Sequence, residues 1–250
     1  MTVRPVLRQR LCNGLGVGAL LLVWQYLSTV LHPVILPRPS ATLGALVDLL
    51  FSGSFLLDVV LPSLTRAVSG LCLALAIGCS AGALAGYSQT VEAVLAPLKH
   101  LLLGLPASIL IVLLILWLNG GNRLVICAVT VMLVPLFYLA LLDGVRGLDR
   151  SLGEMAQVFR IPLWRRLTRI YSPALWHALR PALRLAIATS LRVTLLTEVL
   201  AGSDGLGQTV LLAQTYLETE RLFALVLLIL ALIVGIERLF NLLLRIGRSS

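Results

Sequence analysis

Apolar residues run in blocks long enough to cross a lipid bilayer at about 11–31, 64–87, 97–118, 123–142, 174–201 and 221–245, and short polar or glycine-rich intervals separate most of them. A hydrocarbon core about 30 Å thick takes roughly 20 helical residues. The pattern therefore predicts an all-α integral membrane protein of about six crossings, with residues 1–250 forming one membrane domain. After the first block, ILPRPSATLGALVDLLFSG carries Pro37 and Pro39, then Ser40 as a possible cap. It predicts a short helix of about ten residues that lies at the outer surface, too short to span.

Within the second block Gly70, Ala74, Gly78, Gly82 and Gly86 recur at every fourth position. A ridge of small residues on one helix face lets another backbone approach closely. Packing inside the chain is the expected use, with a subunit interface as the alternative.

One connection is different. Between the fourth and fifth blocks about 30 residues, 143–173, are strongly basic, and a membrane protein that spends so much chain on one loop is expected to meet something soluble there. Residues 152–159 lack a helix breaker after Gly153 and extend a helix, while Pro162 suits the first turn of a second one. Leu163, Leu167, Ile170 and Tyr171 then share one face, and Arg165, Arg166 and Arg169 another. The result is an amphipathic helix-turn-helix, fit either to lie on anionic lipid or to dock on a partner.

Charge orients the chain. With six crossings both ends lie on one side, together with Arg4, Arg8, Arg10, Lys99, Arg146, Arg150, Arg160, Arg165, Arg166, Arg169, Arg245 and Arg248. The other side holds Arg38, Arg66, Arg123 and Arg221. Basic residues concentrate in the cytoplasm, which puts both termini and the long connection there. Arg4, Arg8 and Arg10 before an apolar run resemble a secretory signal, but the run is long and lacks a small-residue cleavage site, so it is expected to remain as the first helix.

Composition narrows the function. The chain is 59% hydrophobic and 12% charged, with mean hydropathy +1.00, far from a soluble domain. The net charge of +9 sits at helix ends and in one loop, so it reads as topology signal and lipid headgroup contact, and no nucleic-acid partner is expected. Lys99 is the single lysine and lies between Leu98 and His100. No G-K-[ST] phosphate loop exists, and the chain cannot hydrolyse ATP by that machinery. Cys12, Cys72, Cys79 and Cys127 lack metal-ligand spacing and read as small buried hydrophobes, and His32, His100 and His177 are scattered. No metal site is expected.

The fifth block carries the ionisable residues that matter most. Arg180 is near enough to its start to reach the interface, but Arg184, Arg192 and Glu198 lie deeper, where unpaired charge is expensive. Glu198 and Arg184 point in similar directions yet stand about 20 Å apart along one helix, so they are not a direct pair. Each either finds a partner on another helix or lines a translocation path, and arginine in a path suits an anion.

The spacing of the loop is specific. Glu154 and Ala156, then Arg160, then Ile170 and Pro173 resemble E-A-A, three residues, G, nine residues, I-x-L-P, the signature of the permease subunits of bacterial ABC importers. The resemblance extends over almost the whole chain to the nitrate, sulfonate and taurine branch, through ILPRPS, the Gly70–Gly86 ladder, Leu105-Pro106, Ile115-Leu116-Trp117 and AGSDGLGQTV at 201–210. Met155, Arg160 and Ser172 depart from the motif, as do Asn119, where a glycine is usual, and Asn122-Arg123, where serine-lysine is common. Pro162 is expected to set the turn that the missing glycine would set, leaving Arg160 to meet an acidic rim on the partner.

The resemblance implies a type I ABC importer permease in the bacterial inner membrane. Glu154, Ala156, Arg160, Leu163, Arg165, Arg166, Ile170 and Pro173 would couple it to a pair of cytoplasmic ATP-binding subunits. ATP and Mg would stay on those subunits, with no cofactor on this chain. A second permease copy, expected to be identical, would complete the path, and an extracytoplasmic binding protein would deliver a small anionic solute. A gradient-driven secondary transporter or channel is the alternative, but it predicts internal repeats and broken helices in matching halves, which the sequence does not display. A membrane enzyme lacks H-E-x-x-H or any defensible dyad.

Overall fold

The computed structural model describes residues 3–148, 158, 162–166, 169 and 171–246; for 3–14, 163, 166 and 243–246 the backbone alone is described. Among these residues the chain is helical, without strands: α1 Val3–Val30, α2 Pro39–Phe51, α3 Leu61–Tyr87, α4 Gln89–Gly104, α5 Ala107–Leu118, α6 Gly121–Arg146, α7 Leu163–Arg166, α8 Ser172–Ala201, α9 Leu206–Thr215 and α10 Thr219–Ile246. One π-type turn, Leu56–Val60, leads into α3.

Among the described residues three helical stretches are long and apolar enough to cross a membrane unaided: Leu56–Tyr87, Gly121–Arg146 and Thr219–Leu242. Two bent pairs raise the number to five if each pair is one span, α4 with α5 at 107° and α8 with α9 at 50°. The continuous crossing expected at 97–118 is therefore two helices. Pro106 breaks it: Leu105 before it is extended, with ψ 132, and Pro106 itself, φ −57 and ψ 138, has no N–H to continue the ladder. The sequence displays no broken helices in matching halves, yet the chain bends within both α4–α5 and α8–α9.

Other boundaries follow local chemistry. Pro39 opens α2, with Arg38 at the cap position and no side-chain cap, so Ser40 lies inside the helix instead of ahead of it. Ser88 caps α4, accepting from the Val91 N–H at 3.4 Å, with Glu92 in the first turn against the positive helix end. Asn119 is left-handed at φ 53, followed by Gly120 at φ 90 and Gly121 at φ 77. Asparagine is among the few side chains that tolerate this region.

The helices group into two units. Met1–Leu57 with Thr209–Ala231 forms one; there Trp24 Nε1 donates to the Pro37 carbonyl at 3.0 Å and the Trp24 ring lies 5.9 Å from that of Phe223. Asp58–Gln208 with Leu232–Ser250 forms the other, built around α6, whose Leu124, Val125, Val129, Leu133 and Phe137 are fully buried. α3 lies along α6 on its small-residue ridge. A Cβ added at Gly78 would stand 2.7 Å from the Val134 carbonyl, one at Gly82 2.3 Å from the Tyr138 carbonyl, and one at Gly86 2.6 Å from Val145 Cβ. Ala74 is fully buried and Gly70 faces Val129, its carbonyl accepting from Thr130 Oγ1 at 3.3 Å. The ladder thus packs within the chain. Of the cysteines expected to be buried, Cys72 is exposed because it points away from this ridge, and Cys79 and Cys127 are intermediate; the Cys12 side chain lies outside the described residues.

Candidate functional site

The corner between α8 and α9 is built on a buried carboxylate. Gly202 ends α8 in the left-handed region at φ 60, its N–H returning to the Glu198 carbonyl. The Glu198 side chain is fully buried, and its Oε1 accepts from Arg66 Nη1 at 2.8 Å. Both carboxylate oxygens lie 2.9 Å from Ser63 Oγ, and Oε2 accepts from the Gly207 N–H at 2.9 Å. Ser63 Oγ in turn accepts from the Leu206 N–H at 2.9 Å. Two free N–H groups at the start of α9 are thereby met by one carboxylate and one hydroxyl, where the helix end favours negative charge.

Arg66 is satisfied on the same side. Its Nε donates to Asn122 Oδ1 at 2.6 Å and its Nη1 also donates to the Asp204 carbonyl. Gly205 closes the turn at φ 134; a Cβ there would lie 2.5 Å from Glu198 Oε1 and 2.6 Å from Ser63 Oγ. At Gly207 it would lie 2.4 Å from the Leu195 carbonyl. The glycines of GSDGLG are required by a left-handed backbone and by close approach.

A buried ion pair, hydrogen-bonded from three helix ends, positions those helices. Of the two uses the sequence left open for Glu198, Arg184 and Arg192, Glu198 has the partner on another helix. Arg184 and Arg192 are exposed on α8, and neither has a hydrogen-bond or ion-pair partner among the described residues. Arg66, read from sequence as an outer-face topology arginine, is the partner that sequence reasoning missed. The available signal was depth: Arg66 sits in the second turn of α3, Asn122 in the first turn of α6 and Glu198 in the last turn of α8, so the three helix ends meet.

The long connection is described in part. Glu154, Ala156, Arg160 and Ile170 lie outside the described residues. Leu163 and Arg166 bound α7, and Pro162 directly precedes it. Val158, Trp164, Arg165 and Arg169 are exposed, as is Pro173 in the first turn of α8. Arg146, at the end of α6, pairs with Glu92 of α4.

A bundle of membrane-length helices, with partnerless arginines on its longest member and an exposed basic connection beside it, defines a polytopic membrane transport subunit. The comparisons make that specific. The chain belongs to the family of binding-protein-dependent transport system inner membrane components, whose model matches residues 74–245. It is 25% identical over 215 residues to the putative aliphatic sulfonates transport permease protein SsuC of Bacillus subtilis (strain 168), covering 85% of this chain and 78% of that protein. Against the taurine transport system permease protein TauC of Escherichia coli (strain K12) the identity is 27% over 234 residues, 88% and 82% covered. The riboflavin transport system permease protein RibX of Chloroflexus aurantiacus matches at 29% over 238 residues, 90% and 88% covered. A chain of the MetNI methionine ABC transporter in inward-facing conformations shares the fold, with TM-score 0.59 and 19% identity over 75% of this chain and 93% of that one.

The chain is therefore a multi-pass inner-membrane permease subunit of an ABC importer. It is a transport component rather than an enzyme: the ATPase is a separate subunit, and the family works with ATP-binding subunits and a solute-binding protein.

Proposed function

We propose that two copies of this chain form the path of an importer for a small anionic solute of the sulfonate, taurine or nitrate class. The observation that carries the reading is Arg184 and Arg192, exposed on α8 with no ion-pair partner among the described residues. Charge inside an apolar helix faces a water-filled route or a neighbouring subunit, and guanidinium groups select oxyanions by paired hydrogen bonds. The solutes named for two relatives, aliphatic sulfonates and taurine, support that class. A riboflavin permease among the relatives means that likeness of the bundle does not select the solute by itself; the arginines do.

In this reading the chain crosses the membrane about six times, with both termini and the 143–173 connection in the cytoplasm. Glu154, Ala156, Arg160, Leu163, Arg165, Arg166, Ile170 and Pro173 seat on an ATP-binding subunit. ATP and Mg remain on that subunit; closure of the ATPase pair moves the two connections together and turns the path outward, and hydrolysis resets it. A two-fold axis relates the copies.

The test is ATP-driven uptake in proteoliposomes holding the permease, its ATPase and its binding protein, with taurine, methanesulfonate and nitrate as solutes. Uptake of one of these at the expense of ATP is the expected result. Uptake driven by an ion gradient without the ATPase would replace this mechanism with a carrier.

A further inference from the structure

Arg184 of α8 shares an open cavity of about 380 Å³ with Arg238, Asn241 and Leu242 of α10. Neither guanidinium has a hydrogen-bond or ion-pair partner among the described residues. Arg238 and Asn241 are three apart on one helix, hence on one face. Asn241 brings a further polar group to the lining, and its buried Oδ1 has no hydrogen-bond partner. Arg180, one turn before Arg184, stacks over Trp176 at 5.5 Å and keeps a buried Nε without an acceptor. Glu237, beside Arg238 in the chain, pairs with none of these arginines.

Two cations and an amide side chain thus line one polar cavity, and no carboxylate is bonded to the cations among the described residues. Along the helices the site lies about 18 Å from Ser172 and about 12 Å from Ile246, at ~1.5 Å per residue. Charge at that depth requires a counter-ion.

We infer that Arg184, Arg238 and Asn241 form an oxyanion site between α8 and α10, taking a phosphate- or sulfonate-type group through charge-assisted hydrogen bonds from both guanidiniums. Two sources carry this chemistry: the phosphate of an anionic lipid headgroup and a free soluble anion. The site shares Arg184 with the path proposed above and adds Arg238 and Asn241, so its test reads binding to the complex and not uptake, and the two readings can fail separately.

The experiment uses the purified permease–ATPase complex. Native mass spectrometry with added phosphatidylglycerol, against phosphatidylcholine, reads the lipid arm. Calorimetric titration with inorganic sulfate, in nanodiscs of phosphatidylcholine alone, reads the soluble arm. Selective retention of phosphatidylglycerol that falls at least about tenfold in both R184Q and R238Q assigns a headgroup; the same loss in the sulfate titration assigns a free anion. N241D supplies a carboxylate within the cavity and is expected to abolish binding in the responding arm while keeping the melting temperature of the complex, which separates a filled site from a misfolded one. If neither probe binds the unmodified complex more tightly than it binds R184Q, R238Q and N241D, the site does not exist.

Discussion

Arg66 and Glu198, 132 residues apart in the chain, meet at 2.8 Å at the buried junction of α3 and α8. The pair is linked to α9 through Gly207 and Ser63, so removing one partner strands the other's charge. Loss of one member of a buried pair costs about 3–5 kcal/mol. E198A and R66A are each expected to lower thermal stability of the purified complex by that order, and the double variant by less than their sum. An additive double-mutant cycle would show that the two are not coupled.

On the ridge of α3, side chains are excluded by backbone as well as by side chains. G82V and G78L are expected to destabilise by at least about 1–3 kcal/mol through overpacking against α6, seen as loss of folded protein in size-exclusion profiles. Gly18 in α1 has nothing within 4 Å of an added Cβ, so G18A serves as the control, with a gain of about 0.5–1 kcal/mol from helix propensity. Equal behaviour of G82V and G18A would remove the close-packing account.

Asn119 holds a left-handed turn at φ 53. N119G is expected to leave stability nearly unchanged, and N119V to cost roughly 1–2 kcal/mol. Thermal melts of the two variants side by side decide it, and a harmless valine would mean that the turn relaxes.

Transport should depend on Arg192 without its removal disturbing the fold, because the side chain is exposed. R192Q is expected to cut taurine or sulfonate uptake about tenfold or more, the scale of a lost charge-assisted contact, with the melting temperature unchanged. Full uptake with the same solute preference would take Arg192 off the path.

For the connection, R160G restores the glycine of the family motif. If Arg160 meets an acidic rim on the ATPase, R160G weakens co-purification of the two subunits at low salt, and the deficit narrows in high salt, which screens the same contact in the unmodified chain. Unchanged assembly and coupled uptake would rule that contact out.

Much of this was legible in the sequence, because bilayer thickness and helical rise turn apolar runs into helices with little ambiguity, as for α6 and α10. The glycine ladder was also legible, since a four-residue period needs only helix geometry. What was not legible came from choices among whole helices. Leu105-Pro106 was visible as a pair, yet hydropathy averages across it and hides a 107° bend. The sequence left Glu198 open between an interhelical partner and a path, because Arg66 is far away in sequence and the meeting of three helix ends is a tertiary fact. Asn119 looked like a departure until its φ showed that it does glycine's work.

α5 has 12 residues and, as a helix, spans about 18 Å, well short of the hydrocarbon thickness. Bent away from α4 and tied to α6 by Asn119 and two left-handed glycines, it has too little length to enter lipid as an independent unit. During synthesis it must wait for α6, so membrane insertion of this part of the chain is a cooperative event between neighbours rather than one helix at a time.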